Sequence, residues 1–377
     1  MSLQFITGNS GNGKTKYLFN RIVKEAKANP RDNYLVIVPE QFTMQTQRQL
    51  VDLSENKAIM NIDVLSFKRL AYRVFDELGI TNLTVLEETG KNLVLRKLAA
   101  QEADKLGVIG RNLNRIGYIS EVKSLLSELV QYNISPEELG RYIASGMLSD
   151  TLSDKLKDVL VLYEAFEKFM QDKYITAEEI LNVLSNVAEE SAILRNSVIA
   201  FDEFTGFTPI QNQLIKKLFV ISKKIYVTLT IDCREDIFKS RGMQELFDMP
   251  KRTVKSLTEM AAFYGIEVEE PIILDKNYRL AENEELSFME QQLFRKRRCS
   301  FKKAPKHIHI DCLRDPKQEL TKIARRINEL VRNENLRYRD IAIVTGDVNI
   351  YAGYVREIFD KYNIPYFIDA TQEILFH

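Results

Sequence analysis

Two clusters carry residue types at spacings that could do chemistry. Gly8-Asn9-Ser10-Gly11-Asn12-Gly13-Lys14-Thr15 fits the pattern G-x-x-x-x-G-K-[ST] at every required position. Glycines let backbone N–H groups curl around phosphate oxygens, and a helix starting there adds the partial positive charge of its N-terminus. In such a loop the Lys14 ammonium reaches the β and γ phosphates of ATP, and the Thr15 hydroxyl ligates Mg2+. The second cluster is Asp202-Glu203, directly after the apolar run Ser197-Val198-Ile199-Ala200-Phe201. Beside a phosphate loop, Asp202 can hold Mg2+ and Glu203 can orient or deprotonate an attacking water as the catalytic group. Plainer alternatives stand beside both: a glycine-rich turn that binds nothing, and an acidic turn in which Glu203 caps a helix.

The elements that would position these groups are legible around them. Leu3-Gln4-Phe5-Ile6-Thr7 reads as a strand leading into the loop, and Tyr17, Leu18, Ile22 and Val23 then fall at helical spacing. Tyr34-Leu35-Val36-Ile37-Val38-Pro39 is a continuous apolar run, as expected of a strand buried on both faces of a parallel sheet. Ile62-Asp63-Val64-Leu65 is another strand, running into Ser66-Phe67 and an amphipathic helix. In an open α/β sheet the ligand crevice lies at the carboxyl ends of the strands. That places Gln41, Phe42, Thr43, Ser66 and Phe67 near the crevice, among the residues able to meet a bound ligand. Thr43 and Ser66 are equally good helix caps. Phe204 and Phe207 could stack on bases, or pack under the insertion formed by residues 87–195.

Residues 87–195 lose strand-like runs. Leu156, Leu160, Tyr163, Phe166 and Met170 form a helical stripe, and Ser135-Pro136-Glu137-Glu138 and Thr176-Ala177-Glu178-Glu179 have the logic of capping boxes. This predicts an all-helical insertion over 87–195 within a first domain formed by 1–86 and 196–295. After a strand at 225–231 a helical stretch is expected. Arg295, Lys296, Arg297, Arg298, Lys302 and Lys303 follow, a basic run that could grip phosphate or lie solvated between domains. Strands at 307–311, 341–344 and 366–368, with helices between, predict the start of a second α/β domain over 305–377. About 70 residues is thin for a whole domain, so a piece of a longer protein is expected.

The 377 residues carry 53 Lys+Arg and 53 Asp+Glu, a net charge of zero, which argues against a simple polybasic DNA binder. Composition close to the globular average excludes a disordered or fibrous chain. Cys233, Cys299 and Cys312 supply neither a zinc site nor a disulfide framework and suit a reducing cytoplasm. No apolar run approaches a membrane span.

The order of these elements is similar to that of the UvrD-like superfamily 1 helicases. More closely, Gly8 to Thr15, Val38-Pro39-Glu40-Gln41-Phe42-Thr43, Phe201-Asp202-Glu203-Phe204-Thr205-Gly206-Phe207-Thr208-Pro209 and Asn363-Ile364-Pro365-Tyr366-Phe367-Ile368-Asp369 resemble the AddB/RexB family, B subunits of bacterial helicase–nucleases. The resemblance implies a RecA-like P-loop domain with a helical insertion, followed by the start of a second RecA-like domain. It also implies an AddA-like helicase subunit as partner, DNA single strands or duplex ends as substrate, and recombinational repair of double-strand breaks. A nuclease and a cysteine-held iron–sulfur cluster are implied only for a C-terminal part beyond residue 377. Working motors of this kind have a glutamine after the strand that follows the Asp-Glu pair; here Thr230-Ile231-Asp232-Cys233-Arg234 stands. They also carry an arginine after the second-domain strand, where Val344 runs into Thr345-Gly346-Asp347. The chain is therefore expected to bind ATP better than it hydrolyses it. A DNA-guiding scaffold with a vestigial nucleotide site is a second expectation, and a small-molecule P-loop kinase a third.

Overall fold

A computed structural model describes residues 1–81, 84–108, 110, 116–171, 174–295 and 299–368. They divide into two compact units: residues 1–287 with 293–296, and residues 288–292 with those from 297 on. In chain order the first unit contains β1 (Ser2–Gly8), α1 (Lys14–Ala28), β2 (Tyr34–Ile37), α2 (Thr43–Leu53), β3 (Ile62–Leu65), α3 (Phe67–Leu78), β4 (Val85–Leu86), α4 (Glu88–Gln101), α5 (Ile116–Gln131), α6 (Pro136–Ala144), α7 (Asp150–Met170), β5 (Ile175–Thr176), α8 (Ile180–Val187), β6 (Val198–Phe201), α9 (Pro209–Ile221), β7 (Lys224–Thr230), α10 (Asp248–Phe263), β8 (Glu267–Val268) and β9 (Ile272–Leu274). A further helix, α11 (Glu284–Gln292), lies astride the division.

The sheet runs β3-β2-β6-β7-β1-β8, with β9 also on β1, and every pairing is parallel. Its central strands are buried on both faces, which is why they read as unbroken apolar runs. Leu35, Ile37, Ile199, Phe201, Ile225 and Val227 enter one core with α3, α8, α9 and α10. The alternating Tyr34, Val36, Val198, Ala200 and Tyr226 enter the other with α1 and α2. The strand period of two thus sorts one sequence run into two cores.

A separate helical core, including Leu95, Leu126, Val159, Leu162, Tyr163, Phe166 and Met170, joins α4, α5 and α7. It ends earlier than residue 195. Helix α8 belongs to the sheet's core through Ile180 and Leu184, so the chain returns at the two-stranded pairing of β4 with β5. The box at Ser135 and the reciprocal bonds between Thr176 and Glu179 form as the sequence predicts.

Two expectations are corrected. Residues 232–295 are not helical throughout, since β8 and β9 pair with β1. At two and three residues they are too short to show an alternation, and they gain a ladder only by lying beside β1. In the second unit, α12 (Pro316–Asn333) and α13 (Val348–Lys361) pack around Leu320, Ala324, Ile327, Ile358 and Phe359. The segments 307–311, 341–344 and 366–368 form no ladder among the described residues. β-propensity makes a strand only where a neighbour offers hydrogen bonds, and Ile310 and Val344 stand almost wholly exposed. Lys296, Arg297, Arg298 and Asp369 lie outside the described residues.

Candidate functional site

Strand register explains how residues some 190 positions apart meet. Gly8 pairs with Thr230, and Phe201 with Val227, so β1 and β6 flank β7 and end at one edge of the sheet. The loop from Gly8 to Thr15 leaves that edge beside Asp202-Glu203. Thr15 Oγ1 lies 3.2 Å from Asp202 Oδ1 and 3.3 Å from Glu203 Oε1. Both clusters line one crevice of about 760 Å³, with Phe42, Gln45, Thr46, Thr228, Tyr278 and Arg279 among its other walls.

The loop is shaped for an anion. Gly13 takes a left-handed φ of 79° and begins α1 with no capping side chain. The first amides of a helix have no partner within it, so an uncapped N-terminus facing a crevice suits a phosphate. The Lys14 ammonium folds back on the carbonyls of Gly8 and Asn9, at 3.1 and 3.0 Å. Asn9 is buried and accepts the Cys233 N–H at 2.9 Å, tying the loop to the end of β7.

Asp202 is 1% exposed. Its Oδ1 accepts from Thr15 and Thr228, while Oδ2 finds no hydrogen-bond partner among the described residues. Burial pushes this carboxyl up to about 6; the neighbouring Glu203 charge adds to the rise and the two threonine hydroxyls oppose it. A buried carboxylate oxygen without a donor, beside a threonine hydroxyl, fits a divalent cation. Glu203 is exposed at the mouth of the crevice, on a backbone with a left-handed φ of 63°.

The loop is clasped from the β9 side by residues that sequence reasoning missed. Tyr278 and Arg279 donate their N–H groups to Gly11 O, Asn277 Nδ2 donates to Ser10 O, and Asn12 Nδ2 donates to Leu274 O. A Cβ on Gly11 would lie 2.8 Å from both Arg279 Cβ and Asn277 Oδ1, so glycine is required there by packing as well as by its φ of 89°. Nothing in Asn277-Tyr278-Arg279 marks it as special; only the docking of β9 on β1 brings it to the loop.

Beyond β7, Asp232 receives Arg234 and Arg295, whose Nε atoms lie 2.9 and 3.0 Å away. Burial would raise Asp232, but the two guanidiniums and the Arg234 N–H hold it down at about 2. Arg295, the first cation of the basic run, is thus committed to Asp232 and stacks on Phe247.

The remaining expected residues divide by exposure. Gln41 is exposed and Phe42 half-buried, whereas Thr43, Ser66 and Phe67 are buried. Ser66 caps α3 by accepting the Arg69 N–H; Thr43 instead donates to Glu40 O. Phe204 and Phe207 are half-buried and pack with Phe67 and Phe201, with ring centroids 5.3–6.3 Å apart.

The family model described as "ADDB, N-terminal" matches residues 5–290. A relative in Lachnoclostridium phytofermentans, named as the B subunit of an ATP-dependent helicase/deoxyribonuclease, is 38% identical over the whole of this chain, which covers 33% of the relative. Relatives of the same name in Clostridium tetani and Clostridioides difficile are each 33% identical over 99% of this chain, which covers 33% and 32% of them. The chain spans about a third of the length of the curated relatives it matches.

Proposed function

The chain belongs to the family described as ADDB, N-terminal, and from that premise we propose that it is the ATP-binding, DNA-contacting N-terminal part of a helicase–nuclease B subunit. The whole protein would act with an AddA-like helicase partner on double-strand breaks. In this reading residues 1–86 and 196–295 form a RecA-like domain interrupted by the helical core.

The observation that carries the reading is the convergence of Lys14, Thr15, Asp202 and Glu203 on one crevice at an uncapped helix N-terminus. The amides at the start of α1 would bind the phosphates, and Lys14 would exchange the Gly8 and Asn9 carbonyls for a phosphate oxygen. Thr15 and Asp202 would hold Mg2+, which neutralises charge on the phosphates. Glu203, at the exposed mouth, would orient water. Tyr278, exposed at the crevice with the Lys276 ammonium 5.0 Å from its ring centroid, would lie near a base, and Arg279 brings a cation that the sequence after Val344 lacks. Phe42, which lines this crevice, and its exposed neighbour Gln41 would meet a DNA strand.

The test is Mg2+·ATP affinity of the chain beside Lys14→Ala, with and without single-stranded DNA. Loss of the charge-assisted contact should weaken binding by about 2–3 kcal/mol, roughly 30- to 150-fold. No binding by the folded chain at millimolar ATP would overturn the reading. A second reading, a DNA-guiding scaffold with a vestigial nucleotide site and no ATP hydrolysis, is favoured by one feature. Where motors place a glutamine, the end of β7 is bound into the Asp232–Arg234–Arg295 ion network. ATP hydrolysis stimulated by DNA and abolished by Glu203→Gln would exclude it.

A further inference from the structure

Seven non-glycine residues among the described ones take a left-handed φ: Asn133, Asn196, Asn335 and Asn363, whose short polar side chains tolerate it, and Lys57, Glu203 and Phe294, of which Glu203 lines the crevice. Glutamate has no such local compensation, so something must impose φ 63° at this position. The neighbours on either side are both fixed. Asp202 donates its N–H to Ile37 O of β2, and its carboxylate is gripped by Thr15 and Thr228. Phe204, one residue on, is seated among Phe67, Phe201 and Phe207, at 5.6, 6.3 and 5.3 Å between ring centroids. The segment is anchored again where Thr205 O accepts the Thr253 hydroxyl at 3.0 Å, and where Thr208 closes a capping box at the start of α9. Between a sheet ladder and a ring cluster, the chain must turn within a single residue.

We propose that the Phe67–Phe201–Phe204–Phe207 cluster is a positioning device for the nucleotide crevice: it enforces the left-handed backbone at Glu203 and thereby aims that carboxylate at Thr15. Phe204 and Phe207 are positioning residues acting through Glu203, not platforms for bases. Their half-buried rings are already spent on one another and on α3 and β6. The clamp stands on geometry alone, and its purpose rests on the nucleotide reading above.

Two measurements separate the clamp from its purpose. The first is a thermal-unfolding cycle that needs no nucleotide. Glu203→Gly and Glu203→Ala both remove the carboxylate but differ in tolerance of positive φ, so the glycine variant should melt about 2 °C higher than the alanine variant. In a Phe207→Leu background that gap should close, because the loosened segment no longer imposes the angle. A gap that persists unchanged in Phe207→Leu, or that is absent from the start, overturns the clamp. Should Phe207→Leu fail to fold, Phe204→Leu serves in its place.

Glu203 accepts the Thr15 hydroxyl at 3.3 Å and so orients the oxygen that would hold Mg2+, and the second measurement is therefore the ratio of ATP dissociation constants without and with Mg2+. It should fall by roughly fivefold in Phe207→Leu, and show no further fall when Phe207→Leu is added to Glu203→Gln, as expected of residues acting in series. A folded Phe207→Leu protein with an unaltered ratio overturns the positioning role. A parent chain that binds no ATP while the melting cycle shows the coupling overturns the nucleotide reading and leaves the clamp supported.

Discussion

Asp202 and Asp232 follow neighbouring strands, β6 and β7, at the same edge of the sheet, and each is 1% exposed. Their surroundings are opposite. Asp232 has two guanidiniums and a backbone N–H, and sits far below the ordinary carboxylate range. Asp202 has two hydroxyls on one oxygen and, among the described residues, no partner on the other, and sits well above it. Burial of a carboxylate is therefore uninformative about function by itself. The informative quantity is whether the protein supplies its counter-charge. Where it does, the acid holds a loop in place; where it does not, the buried acid costs stability and, in the reading proposed above, would take a cation from outside.

The comparison can be broken at either acid. Asp202→Asn should lower Mg2+-supported ATP affinity by about 50-fold, or roughly 2.3 kcal/mol, without lowering the melting temperature. A large loss of stability instead would show that its charge is structurally compensated after all. Asp232→Asn should do the reverse. It strips the partner from Arg295, which is 14% exposed, and weakens that of half-exposed Arg234, so stability should fall by about 2 kcal/mol in urea denaturation. Equal loss of nucleotide affinity in both variants would erase the distinction.

Acid titration sharpens the same point. A carboxyl whose folded pKa is near 2, below its unfolded value of about 3.8, contributes stability that is present above the unfolded value and lost as pH falls toward the folded one. Between about pH 5 and pH 2.5 the parent chain should lose roughly 1.5 kcal/mol that Asp232→Asn does not lose. Identical acid limbs in the two proteins would mean the ion network adds nothing to folding. Smallest is Thr228→Val, which removes a hydroxyl donated to Asp202; it should cost about 1 kcal/mol of stability, measured by thermal unfolding. A stability gain would show that the hydroxyl is not needed to solvate the buried acid.

Much of the candidate site was legible because its signals are local. A glycine-lysine-threonine loop between a strand and a helix, and two acids after an apolar strand, are each contained within eight residues or fewer. The capping roles of Ser66 and Ser135 were legible for the same reason. Tyr278 and Arg279 were not, because their place against Gly11 depends on a three-residue strand that exists only by pairing with β1. The segments 307–311, 341–344 and 366–368 fail in the opposite direction. Their composition suits a strand, but no neighbouring ladder completes them among the described residues.

The sequence by itself determined the apolar periods, the glycines that permit the loop, and the identities of the lysine, threonine and paired acids. Those properties belong to short stretches of chain, and sterics and side-chain chemistry fix them without reference to distant residues. Only the tertiary structure decided which acid carries a counter-charge, which rings pack on one another, and which loop clasps the glycines. Those depend on what lies opposite across the sheet, and sequence separation carries no record of that distance.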